Sequence, residues 1–183
     1  MEAKDFVVLV DEYGHDLFDQ DSRLSTMEKL EAHRHGLLHR AISVFIFNDS
    51  NELLLQKRAA TKYHSPGKWS NTCCTHPSPG ESPLIAAQRR LKEEMGLEVT
   101  LTEAFTFLYR ADVGNSLTEN EFDHIFFGIS KQNPNPNPTE VSDWNWITIE
   151  ALKKELIRNP EEYSPWLRQC FDKVVNFKLQ EPR

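Results

Sequence analysis

Between Trp69 and Gly96 the chain reads WSNTCCTHPSPGESPLIAAQRRLKEEMG. A loop crowded with thiols, an imidazole and a carboxylate runs straight into a helix whose two ends are both marked. Ser82 offers an N-cap oxygen, Pro83 suits the first helical turn, and Gly96 stands where the chain must leave a helix with positive φ. At 100° per residue Leu84, Ala87, Gln88, Leu91 and Met95 form one stripe, with Arg90 and Glu94 together on its flank. These two charges therefore border a core. They either line a cleft or form a surface i, i+4 ion pair worth only ~0.3 to 0.5 kcal/mol.

On both sides of this helix the pattern is that of strands. Phe6 to Val10 reads as a short strand closed by a turn at Gly14, and Ser25 to Ala32 has a helical look without a strong stripe. AHRHGLLHR follows, with His33, His35 and His39; six residues apart, His33 and His39 would share no helical face, so their joint use requires a loop. Ala41 to Phe47 and Leu53 to Gln56 read as a buried hairpin around NDSNE. Arg58 and Lys62 then fall on the loop after it. Val99 to Tyr109 and Leu117 to Ile129 are long strands joined by ADVGNS, and NPNPNPTE is a linker with neither helical nor strand character. Trp144 to Ile149 is a further strand, Glu150 to Leu156 a short helix stopped by Asn159-Pro160, and Glu161 to Lys178 an amphipathic helix. Trp166, Cys170, Val174 and Phe177 lie along one side of that helix, and the tail after Leu179 reads as loose. Strands flanked by helices indicate an α/β (α+β) fold, a mixed β-sheet sandwich.

With 183 residues the chain is long enough for one good core and short for two. The expected organisation is a single domain over 1–183, with a core at about 38–158, an N-terminal extension over 1–37 and a C-terminal helix over 159–183. The formal net charge of −7 argues against nucleic acid or an anionic membrane as partner, since either wants a broad basic face. A small anion held in a local basic pocket is compatible with it. No apolar run approaches 20 residues, and MEAKDFVVLVDEYG is too acidic and too short in its apolar part for a signal peptide. The expected location is the cytoplasm. Three cysteines, two of them adjacent, make no disulfide framework and no paired zinc spacing, so Cys73 and Cys74 read as free thiols.

Glu81, Arg89, Leu91, Glu93, Glu94, Gly96 and Leu97 fall at the spacing of the Nudix box, G-x5-E-x7-R-E-(apolar)-x-E-E-x-G-(apolar). Two positions depart from it: Thr75 stands at the leading glycine, and Arg90 replaces the glutamate after the arginine. A guanidinium there damages a metal-dependent pyrophosphohydrolase site while supplying a cation for a diphosphate. Together with NTCCTHP before the helix and ENE after it, the chain resembles the type I isopentenyl diphosphate isomerases, the branch of the Nudix fold that isomerises. The resemblance runs from about Phe6 to Trp166.

That resemblance implies metal-assisted protonation and deprotonation of isopentenyl diphosphate to give dimethylallyl diphosphate. Cys74 and Glu121 match the proton-handling groups, Tyr109 a tyrosine that assists near Glu121, and Trp166 a tryptophan facing a carbocation. Glu119 and Glu121, two apart in a strand, project from one face, and two such carboxylates need a cation between them. His33, His39 and His76 would complete the set, with His35 the alternative to His33; Lys29-x3-His33 favours His33. Three imidazoles and two carboxylates suit Zn²⁺ or Mn²⁺ better than Mg²⁺. Lys29, Arg58, Lys62 and Arg90 match diphosphate-binding positions. Glu94, with the backbone carbonyl of Cys74, matches a Mg²⁺ site shared with the diphosphate. His15, His64 and His124 read as ordinary solvated or hydrogen-bonded side chains. The implied partner is a small diphosphate, without nucleic acid or membrane, and the implied state is a monomer. The competing reading is a Nudix hydrolase of a nucleoside diphosphate derivative.

Overall fold

The computed structural model describes residues 5–180. A two-stranded ribbon, β1 (Phe6–Val8) with β2 (Thr26–Glu28), precedes a short helix, α1 (Lys29–His35). The helical reading of Ser25 to Ala32 therefore holds only from Lys29. Thr26 to Glu28 pair with β1 instead, and the Glu28 carboxylate caps α1 by accepting from the amides of Leu30 and Glu31. Gly36 ends the helix in the left-handed region (φ 58°), so His35 and His39 share no face.

The main sheet has seven strands: β3 (His39–Phe47), β4 (Glu52–Arg58), β5 (Trp69–Ser70), β6 (Cys73–Thr75), β7 (Thr102–Gly114), β8 (Leu117–Ile129) and β9 (Val141–Thr148). β3 runs parallel to β8 along its whole length, from His39 opposite Glu121 to Phe47 opposite Ile129. The expected hairpin of β3 and β4 pairs only at its closed end, Phe47 opposite Leu53. Beyond it the strands part, and Thr72 bridges them: its hydroxyl accepts from the Ile46 amide and donates to the Leu54 carbonyl. β6 then takes the edge of β3 that β4 leaves, Cys74 opposite Ser43, and β4 pairs with β9. β8 spans Leu117–Ile129 as the sequence suggested, whereas β7 runs on past Tyr109 to Gly114, so the turn is only Asn115 and Ser116, both at positive φ. β7 in turn starts at Thr102 rather than Val99.

Helices cover both faces. α2 (Pro83–Met95) has its Ser82 cap and its Gly96 exit, but its buried face is Ala86, Ala87, Leu91, Glu94 and Met95. Leu84 and Gln88 point to solvent; the buried face is turned from the apolar stripe toward Glu94. This layer holds Ile42, Val44, Ile46, Leu54, Cys73 and Phe126. Residues of the opposite pleat, Phe45, Phe47, Leu53, Leu55, Tyr109, Ile125 and Phe127, pack with α3 (Ile149–Arg158) and α4 (Pro165–Gln180). α4 begins at Pro165 rather than Glu161, after a single 3₁₀ turn at Pro160–Glu162. Leu179 and Gln180 complete it; the rest of the expected loose tail lies outside the described residues. No helix among them is long and apolar enough to cross a membrane.

NPNPNPTE is irregular, as expected, but it is tied down. Asn135 and Asn137 donate their amides to the Met95 and Glu94 carbonyls at the end of α2. A side chain at Gly96, already at φ 66°, would meet the Asn135 carbonyl oxygen at 2.5 Å. That glycine serves close approach as well as turning.

Candidate active site

The ends of β3, β6 and β8 meet α1 and the first turn of α4 around a cavity of about 60 Å³. Cys74, His76, Tyr109, Glu119, Glu121 and Trp166 line it, with Lys29, Arg58, Lys62, Arg90 and Glu94. Of the residues expected to act in catalysis, diphosphate binding or metal binding, His33 and His39 are not among its lining; they lie fully buried behind it. The cavity opens into a groove of about 920 Å³ that shares Lys29, Lys62 and Arg90.

The histidine cluster has a defined proton inventory. His33 Nδ1 lies 2.6 Å from the Lys29 carbonyl and His39 Nδ1 2.7 Å from the Leu37 carbonyl. A carbonyl can only accept, so both Nδ1 atoms carry the proton and both neutral rings turn a bare Nε2 inward. Those lone pairs face more acceptors. His33 Nε2 is 3.0 Å from Glu119 Oε2 without forming a hydrogen bond, and both atoms are buried and unpartnered. His39 Nε2 is 3.2 Å from His76 Nε2 and 3.6 Å from Glu121 Oε1. One donor atom from each of His33, His39, His76, Glu119 and Glu121 lies within 4.8 Å of all the others. Donors bound at ~2.1 Å to one ion can be at most about 4.2 Å apart, so a small contraction suffices. Lone pair against lone pair in a dry interior is costly unless a cation lies between. The residues fit a divalent metal, and their nitrogen content suits a transition metal.

Burial drives His76 down to about 3 against the opposing hydrogen bond of Glu121. It also lowers His33. Burial and then the charge of Glu121 push Glu119 well above the usual carboxylate range. In Glu121 burial works upward too, but the neighbouring His39 and His76 rings, with His76 hydrogen-bonded to Oε1 at 2.8 Å, outweigh it and hold this carboxyl low. Tyr109 donates its hydroxyl to Glu121 Oε2 at 2.6 Å.

Alternation along β6 separates the two thiols. Cys73 is packed in the α2 layer, whereas Cys74 faces the cavity. Burial raises the Cys74 thiol to about 12, with the Arg58 charge opposing; the Arg58 guanidinium lies 3.8 Å from its sulfur. Arg58 is the last residue of β4 rather than part of a loop, and a register shift between Lys57 and Arg58 marks a bulge. Bulges re-aim side chains; here the guanidinium lies over the Trp166 ring at 5.1 Å. Trp166 is fixed in turn by donating Nε1–H to Asn71.

Arg90 and Glu94 line the cleft rather than the surface: Arg90 Nη2 donates to Glu94 Oε1 at 2.5 Å, and Glu94 also accepts from Gln56. Glu81 and Arg89 of the box instead hold each other in a two-pronged pair, both contacts 2.8 Å. His35 is exposed beside Glu31. His15 and His124 pair with Asp11 and Glu103.

His64 is the residue the sequence reading passed over. It lines the cavity, its Nε2 is 3.0 Å from Glu119 Oε1, and it stands edge-on to Trp166. Burial, with the Arg58 charge, lowers it to about 2, so it stands as a neutral ring against the Glu119 carboxylate. KYHSPG has the look of a surface turn, and only the return of the loop against Glu119 reveals it. Tyr63, beside it, lies under the Lys29 ammonium at 5.4 Å.

The NUDIX domain family matches residues 37–170. Among solved structures, a protein of Deinococcus radiodurans superposes with a TM-score of 0.70 at 20% identity, covering 86% of this chain and 96% of that one. The MutT protein of Methanosarcina mazei gives 0.64 at 18%, covering 79% and 96%. At these identities the likeness concerns the fold. Sequence relatives are nearer: isopentenyl-diphosphate Delta-isomerase 1 of Aromatoleum aromaticum is 51% identical, over 94% of this chain and 93% of that protein. Isopentenyl-diphosphate Delta-isomerase of Pectobacterium atrosepticum is 47% identical, over 93% and 92%. With that identity over nearly the full length of both proteins, the chain belongs to the type I isopentenyl-diphosphate Delta-isomerases of the NUDIX superfamily.

Proposed function

We propose that this enzyme isomerises isopentenyl diphosphate to dimethylallyl diphosphate, adding a proton at one carbon and removing one from a carbon two positions away. The observation that carries this reading is the placement of Cys74 and Glu121. They sit on strands flanking opposite sides of β3 and face one small cavity. One delivers a proton and the other withdraws one, so the double bond shifts without the substrate turning. Tyr109, bonded to Glu121, gives that carboxylate a partner for the proton it handles.

An alkene is a weak base and its protonation produces a tertiary cation, which water would trap. Tyr63, His64 and Trp166 close the cavity, and an indole face beside a desolvated cation contributes ~2 kcal/mol. Lys29, Arg58, Lys62 and Arg90 hold the diphosphate, arginine through paired hydrogen bonds and lysine as a point charge. When bound, Mn²⁺ or Zn²⁺ held by His33, His39, His76, Glu119 and Glu121 would keep Glu121 ionised, and Mg²⁺ at Glu94 and the Cys74 carbonyl would neutralise diphosphate charge.

The net charge of −7 supports a small-molecule partner over nucleic acid or a membrane, and the proposed state is a cytoplasmic monomer. The hydrolase reading is not favoured: the curated relatives are named isomerases, and Arg90 stands where the box has a carboxylate. Proton NMR in D₂O, with Mg²⁺ and a transition metal supplied, tests the assignment. Deuterium should enter the new methyl group as dimethylallyl diphosphate forms, and Cys74→Ala and Glu121→Gln should each lower turnover by about 10²-fold or more. Turnover within tenfold of the parent in both variants would overturn the roles given to these two residues.

A further inference from the structure

The segment NPNPNPTE ends in a carboxylate that the reaction itself does not use. Glu140 Oε2 pairs with the Lys62 ammonium, and Oε1 lies 3.4 Å from Arg90 Nη2. Both are diphosphate-binding cations in the reading above, on which this inference rests. Its position is built rather than accidental. Its own carbonyl accepts from the Ala59 amide, its amide donates to the Asn137 carbonyl, and Asn137 is bonded to the Glu94 carbonyl. One short loop thereby ties the carboxylate to both elements carrying the cations, the segment after β4 and helix α2. Glu140 is half-buried at the boundary between cavity and groove.

We infer that Glu140 is a resident counter-charge which the substrate's diphosphate must displace from Lys62 and Arg90, and which returns to them as product leaves. Before binding, it holds two flexible cations at the mouth and offsets their repulsion. Once a diphosphate arrives, the carboxylate competes for the same donors and repels the incoming oxygens, so it weakens binding of both substrate and product. A diphosphate is common to both sides of the reaction, and an anion that loosens it favours release over a tight, unproductive complex.

Glu140→Gln removes the charge while keeping length and one acceptor. With Mg²⁺ present, inorganic pyrophosphate titrated calorimetrically into this variant should bind about three- to tenfold more tightly than into the parent. The KM for isopentenyl diphosphate should fall by a similar factor, with kcat unchanged or lower. The gain should shrink at high salt, as screening requires. Equal or weaker pyrophosphate binding in Glu140→Gln, with an unchanged melting temperature, would overturn the inference and make Glu140 a mere strut. Should the Glu140→Gln variant melt lower, Glu140→Asp separates the cases. A shorter but charged residue leaves pyrophosphate affinity at or below the parent's if charge is what matters, and equal tightening in both variants overturns the inference. Pyrophosphate binding with no isomerisation in the parent would remove the isomerase reading and leave this one standing.

Discussion

The two ends of the cavity solve opposite problems with charge. At the histidine end, His33, His39, His76, Glu119 and Glu121 are buried, and several of their polar atoms, His33 Nε2 and Glu119 Oε2 among them, have no hydrogen-bond partner. Toward the mouth, two of the cations are already matched by carboxylates: Lys62 by Glu140, and Arg90 by Glu93, Glu94 and Glu140. A buried site with bare lone pairs is shaped for a resident cation, because nothing else makes its burial tolerable. A site whose cations already have partners is shaped for exchange. Its ligand replaces one set of contacts with another, and affinity is the difference between the two.

The largest expected effect comes from emptying the first end of a ligand. His33→Ala should lower Mn²⁺ affinity by about 100-fold or more, measured by equilibrium dialysis, and take turnover with it. His35→Ala, altering an exposed ring four residues from Glu31, should change neither. An equal loss from both substitutions would mean that α1 is rotated and that the alternative ligand holds the metal.

A smaller effect is expected one shell out. His64 packs against Glu119 with its Nε2 3.0 Å from Oε1, on the side of the carboxylate away from His33, which faces Oε2. Replacing it by Phe keeps the ring against Trp166 but removes the polar contact with Glu119. Mn²⁺ affinity should fall about tenfold, the range typical for partners of metal ligands, while pyrophosphate affinity stays put. If pyrophosphate binding fell instead, His64 would belong with the mouth.

What the sequence could and could not convey follows the same division. Glu119 and Glu121 are two apart in a strand, and Arg90 and Glu94 four apart in a helix, so local periodicity alone puts each pair on one face. The capped helix α2 and most strands are likewise local facts. His64 and Glu140 act only where distant segments meet: His64 across the sheet from Glu119, Glu140 across two elements from its cations. A turn-rich KYHSPG and a proline-rich NPNPNPTE carry no periodicity that would mark either residue. The parted hairpin of β3 and β4 was illegible for a related reason. Both strands are β-rich and apolar, and only the wedge formed by Thr72, a residue far along the chain, decides that they separate. Leu84 and Gln88 misled because apolar periodicity alone set the stripe; the buried face of α2 is turned toward the flank that carries the polar Glu94, which leaves Leu84 and Gln88 outside it.

The smallest effect expected belongs to an ion pair that should not exchange at all. Glu81 and Arg89 form two hydrogen bonds of 2.8 Å, and Glu81 also accepts from the Ser78 amide. Neither residue lines the cavity, and only Arg89 reaches the groove outside it. This pair ties the loop before α2 to the helix itself, so it steadies the frame that carries Glu94 and Arg90 without meeting a ligand. Glu81→Gln should lower the melting temperature by about 3–6 °C, as expected for roughly 1–2 kcal/mol in a domain of this size, and leave pyrophosphate affinity within experimental error. The hydrogen bonds of Arg89 hold the Glu81 carboxyl below the usual carboxylate value of 4.5, against the opposing pull of burial. A depressed folded value means that the stabilisation is complete above the unfolded value and is lost as pH falls through the folded one. Parent and Glu81→Gln should therefore differ in melting temperature at pH 7 and converge as the pH falls through the depressed value of the Glu81 carboxyl. If instead Glu81→Gln altered pyrophosphate binding at neutral pH as Glu140→Gln is expected to, the line between permanent and exchanging pairs would be wrongly drawn, and the box carboxylate would count among the groups that meet the substrate.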